Sequence, residues 1–146
     1  MINIYFYNWL SSKKYPTFSN KNNIILENNS FWSTKVTFFF LYIIKKYIDK
    51  NIFIIPKNKF KKYNIDILFV SVFGCKNKAI QFIKDNDIKC AIFFSGENLN
   101  YYHKDYKCHL IDYCDLSFGV NNIISNNFLP FHFFILLFFN IDDIDI

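Results

Sequence analysis

Residues 88–98, IKCAIFFSGEN, hold the side chain best suited to chemistry. An apolar core, CAIFF, breaks at Ser95-Gly96 and is followed at once by Glu97, one of two glutamates in the chain. A carboxylate at the tip of a buried strand is where open α/β sheets collect their ligands. Two roles fit Glu97. Raised toward the working pH by burial, it acts as a general base on a hydroxyl. Left at its ordinary pKa, it caps the following turn by accepting backbone N–H groups.

Other site chemistries lack their residues. No GxxxxGK[ST] phosphate loop is present, and the three glycines, Gly74, Gly96 and Gly119, lie too far apart for a dinucleotide fingerprint. Ser95 precedes Gly96, but no GxSxG elbow surrounds it. His103, Cys108, His109 and Cys114 fall close together with a spacing that matches no familiar zinc pattern. The four cysteines form no CxxC pair and read as reduced structural thiols, with Cys75 and Cys90 as small buried hydrophobes beside strands. No metal is expected.

The 146 residues are 52% hydrophobic, with 20 Phe and 10 Tyr, which is enough for one folded domain spanning residues 1–146. The formal net charge is +5, and every basic residue is lysine. Without the bidentate guanidinium fork, base readout loses its main donor. The lysines also fall in small scattered groups, so nucleic acid is not the expected partner. No charged n-region or cleavage site marks a signal peptide. The apolar runs 36–44 and 128–139 are well short of the ~20 residues that span a bilayer. A cytoplasmic chain with no transmembrane segment is expected.

The elements that must position Glu97 follow from periodicity. Residues 2–9 read as an opening strand and 11–30, rich in Asn, as a loop. Residues 31–50 read as a helix capped by Ser30 or Ser33, with Trp32, Val36, Phe39, Phe40, Ile43, Ile44 and Tyr47 at helical spacing. Lys45, Lys46 and Lys50 suit its end. A short strand, 51–55, stops at Pro56, and 57–64 is a basic loop. The continuous apolar run 65–73 and the run 88–94 fit strands buried on both faces of a parallel sheet, with a helix over 77–85 between them. Residues 99–113 read as a loop with a short helical turn, 116–120 as a strand, and Leu129-Pro130 as leading into an apolar segment over 131–139. Alternating strands and helices predict an α/β fold, a Rossmann-like parallel sheet flanked by helices.

The order of these pieces resembles the N-terminal half of the family 10 α-1,3-fucosyltransferases, especially the soluble bacterial type. An opening strand ends in Asn8-Trp9, and the helix over 35–47 leads into the strand over 52–55. The strand over 66–73 ends in a Ser/Gly turn, with a short helix after Lys76. The strand over 90–94 runs into Ser95-Gly96-Glu97-Asn98, similar to the family's aromatic-x-Gly-Glu-Asn signature. Residues 113–119, with Asp115 and Phe118-Gly119, then lead to Leu129-Pro130.

The resemblance implies a GT-B fold, two Rossmann-like domains facing across a cleft, of which this chain is the acceptor-side half. It implies inverting transfer of fucose from GDP-fucose to a glycan hydroxyl. Glu97 would be the general base, and Asn8, Trp9, Ser95 and Asn98 would line the acceptor side. The half that would bind GDP-fucose is not in this sequence, so the chain holds no cofactor-binding residues and is expected to be inactive alone. A separate donor-domain chain is then an expected partner beside the glycan. The alternative is an inactive remnant that binds glycan or protein.

Overall fold

The computed structural model describes residues 1–9, 31–73, 75–96, 106–120, 125–132 and 135, and of 31–34 and 106–109 only the backbone. Six strands form one all-parallel sheet in the order β2-β1-β3-β4-β5-β6. They are β1 (Ile2–Tyr7), β2 (Ile52–Ile54), β3 (Ile65–Ser71), β4 (Ile88–Ser95), β5 (Leu116–Gly119) and β6 (Phe128–Pro130). The helices are α1 (Phe31–Tyr47), α2 (Lys76–Asp85) and α3 (Tyr106–Tyr113). The expected α/β, Rossmann-like fold is the observed one.

The chain divides into two compact units. One consists of Met1–Ile2, Pro16–Phe53 and Phe133–Ile146. Its described core is helix α1, which buries Val36, Phe38, Phe40, Leu41 and Ile44. The helix starts at Phe31, so Ser33 lies inside it and not at a cap, while Ser30 falls outside the described residues. Tyr47, expected on the apolar face, is 69% exposed because the helix ends at that residue.

The other unit, Asn3–Tyr15 with Ile54–His132, carries most of the sheet. Strands β3 and β4 pair in register from Ile65↔Ile88 to Ser71↔Phe94. Leu68, Phe69, Val70 and Phe93 are wholly buried, as continuous apolar runs in the middle of a parallel sheet require. Successive residues point to opposite faces. Phe6, Phe69 and Phe94 therefore share one face, and Tyr5, Tyr7 and Phe93 the other. On the second face α2 packs through Phe82, whose ring lies 5.6 Å from Tyr5 and 4.5 Å from Tyr7. Helix α3 lies against α2 and β4.

The basic loop at 57–64 contains a 3-10 turn, Lys57–Lys62, fastened by Phe60 against Tyr5 and Phe82. Residues Phe128–Pro130, expected to lead into an apolar segment, form the edge strand β6. Proline is tolerated there because an edge strand leaves one side unpaired. No helix among the described residues is long and apolar enough to cross a membrane.

The amino ends of the strands are tied by charge. The Asp66 carboxylate takes a hydrogen bond from Lys89 and one from the Asn3 N–H at 2.8 Å, linking β1, β3 and β4. Lys89 first, and then the Asn3 N–H, hold the Asp66 carboxyl below its ordinary value. Its contribution to stability is therefore complete above about pH 4 and is lost as pH falls through the lowered value. Asp66→Asn removes that contribution. The gap in denaturant midpoint between wild type and Asp66→Asn is expected to be constant near neutrality and to close as pH falls below about 4. Urea melts across that range check it.

Candidate functional site

The strand order sets the location. From β1 the chain steps outward to β2 and then returns to the other side of β1 as β3. Such a reversal opens a crevice outside the carboxyl ends of β1 and β3. The residues at those ends, and at the adjoining ends of β4 and β5, form the candidate site.

Strand β1 ends at Tyr7, and Asn8 has φ 51°, the left-handed region that Asn tolerates better than most residues. That turn folds Trp9 back over the sheet. Its ring lies 5.6 Å from Phe6, 5.2 Å from Phe69 and 5.7 Å from Phe94, and only 4% of the residue is exposed. Trp9 thus packs as the floor of this edge. The neighbouring Ser71, the last residue of β3, is buried and donates its hydroxyl to the Asn8 carbonyl at 2.5 Å. This bond locks the strained turn to the next strand.

Ser95 ends β4, fully buried and in register with Gly119 of β5. Gly119 sits where even a methyl group would be tight. A Cβ there would stand 3.0 Å from the Phe128 ring and 3.2 Å from the Ser95 carbonyl oxygen. The Gly119 carbonyl accepts the Phe131 N–H at 2.7 Å, and Phe131 meets Phe94 edge-on at 5.3 Å. Asn8 and Trp9 on one side and Ser95 on the other are therefore brought to the same edge, with β3 between them. Two strand spacings separate β1 from β4, roughly 10 Å. Glu97 and Asn98 lie outside the described residues.

Two residues at this edge escape a reading of the sequence alone. Ser71 falls inside an apolar run and looks like filler. Cys75, expected as a buried hydrophobe, is exposed. The correction follows from where β3 stops. The strand ends at Ser71 and not at Phe73, which moves Cys75 onto the N-cap of α2. The backbone N–H of Lys78, and more weakly that of Asn77 and the Lys78 and Lys76 charges, pull its thiol pKa down, although the side chain makes no capping hydrogen bond. Burial pushes Cys90 up and Cys114 to about 12. Of His103, Cys108, His109 and Cys114, only the Cys114 side chain is described, and no group of three or more metal-ligating side chains occurs among the described residues.

No family model, curated protein or solved structure matches this chain.

Two measurements test this geometry. Gly119→Ala is expected to destabilise the fold by about 1–3 kcal/mol, since the new methyl meets backbone and a packed ring, and denaturant melts check it. Under limiting iodoacetamide at pH 7.5, among Cys75, Cys90 and Cys114 alkylation is expected first at Cys75 and last at Cys114, read by peptide mass spectrometry.

Proposed function

We propose that this chain is the acceptor-side half of a GT-B fucosyltransferase, incomplete without a donor-binding half. The reading is carried by the order Asn8-Trp9, Ser95-Gly96-Glu97-Asn98, Phe118-Gly119 and Leu129-Pro130. Its support is that Asn8, Ser95 and Gly119 follow or end parallel strands at one sheet edge.

In this reaction Glu97 takes the proton from an acceptor hydroxyl as that oxygen attacks the anomeric carbon of fucose. The bond from that carbon to the GDP oxygen breaks on the opposite face, so configuration inverts and GDP leaves. The proton then passes from Glu97 to solvent. Asn8 and Asn98 orient the acceptor by hydrogen bonds, while Trp9 and Ser95, both buried, hold the strand ends of the acceptor side in place. The opposite wall must supply the positive charge that stabilises the departing diphosphate. The 17 lysines of this chain include no motif for that task.

Co-expression with the donor-domain half of a family 10 enzyme, followed by assay with GDP-fucose and an N-acetyllactosamine-type acceptor, tests the proposal. Transfer is expected from the assembled pair and from neither half alone. Glu97→Gln in the pair is expected to lower kcat by about 10²-fold or more. Unchanged turnover would overturn the assignment of the base. Acceptor binding without transfer by any assembled pair would favour a glycan-binding remnant.

A further inference from the structure

The three most exposed large apolar residues among those described are Met1, Tyr47 and Ile48, at 77%, 69% and 62%. They are not scattered. Tyr47 and Ile48 are consecutive at the end of α1, within the unit that also contains Met1. The Met1 amino group pairs with Asp49 at 2.9 Å, and the Ile2 N–H bonds the Asn51 carbonyl at 2.9 Å. These contacts set Met1 beside the Tyr47–Ile48 corner. Single exposed apolar residues need no explanation, whereas a cluster does.

The cluster is set among lysines. Lys46 and Lys50 are exposed and Lys45 half-buried. The Lys46 ammonium lies 5.2 Å from the centre of the Tyr42 ring and 5.3 Å from that of Tyr47, and donates to the Tyr42 hydroxyl at 2.8 Å. Asp49 is the one acid within residues 45–51. Its carboxylate is already engaged by the Asn51 N–H at 2.7 Å and by the Met1 amino group.

We infer that this corner of α1 docks on an anionic lipid bilayer, with Tyr47, Ile48 and Met1 entering the headgroup region and the exposed Lys46 and Lys50 on the lipid phosphates. Charge decides among occupants. A second copy would bring lysines against lysines. Protein interfaces are depleted in lysine. A nucleic-acid backbone offers nothing to three apolar side chains. An anionic bilayer takes both kinds of group at once, and tyrosine, apolar in body and polar at its tip, suits that depth.

Flotation of the full chain with phosphatidylcholine vesicles, with and without phosphatidylserine, tests the inference. Binding is expected only with phosphatidylserine and is expected to weaken as salt rises. Lys46→Gln and Lys50→Gln should each cost about fivefold, and Ile48→Asn about tenfold. Circular dichroism of each variant confirms that it is folded, and the salt dependence of the wild type tests the charge term without any variant. Absence of binding to phosphatidylserine vesicles, equal binding to neutral ones, or folded variants that bind like wild type would each overturn it. So would self-association relieved by Ile48→Asn in a chain that ignores vesicles.

Discussion

The burial of Phe69 on the middle strand is the constraint on which the candidate site rests. Its ring stacks on Phe6 at 5.2 Å and meets Trp9 at 5.2 Å, while Trp9 reaches Phe94 and Phe94 reaches Phe131. This run of rings crosses β1, β3 and β4 just below their carboxyl ends. Each buried aromatic contributes on the order of 2 kcal/mol through area alone, with further gain from ring geometry. The strand ends are thereby fixed relative to one another before any loop is considered. The left-handed turn at Asn8 belongs to the same device, since it returns Trp9 to the run.

The opposite face works differently. There Tyr5, Tyr7, Phe60 and Phe82 gather around α2 and the 3-10 turn. Burial, and to a lesser degree Tyr7, raises the Tyr5 phenol to about 12, so it stays a donor at any physiological pH. Its hydroxyl donates to the Lys57 carbonyl at 3.3 Å. One inward Phe60 thus anchors a turn whose lysines, Lys57, Lys59, Lys61 and Lys62, all remain exposed.

Much of this was legible in the sequence, and the failures have physical reasons. Strands β3 and β4 announce themselves because burial on both faces demands an unbroken apolar run. Helix α2 was placed to within one residue by Ala79, Ile80 and Ile83. Strand β6 was missed because three residues containing proline carry no period, and only its edge position makes it a strand. The burial of Trp9 is not legible in its sequence neighbourhood, because it depends on the φ of the residue before it. Cys75 was misread for a similar reason. Two residues decide whether a thiol sits in a sheet or at a helix start, and the apolar run continued past the last hydrogen bond of β3.

Charge is distributed unevenly over the ends of the sheet. In the unit carrying the sheet, the described acids are Asp66, Asp85, Asp87, Asp112 and Asp115. Asp66 and Asp115 are committed to the amino edge, the first to Lys89 and Asn3, the second to the Ala91 N–H at 2.7 Å. Asp85 and Asp87 flank the turn into β4, and Asp112 lies near the end of the helix that leads into β5. The carboxyl edge carries small neutral groups instead, Asn8, Ser71, Ser95 and Gly119. Along the sequence, the first acid to follow any strand end closely is Glu97, two residues after Ser95. Among the described residues, the carboxylates that tie the sheet together thus gather at the amino ends of the strands, while the carboxyl ends hold neutral groups.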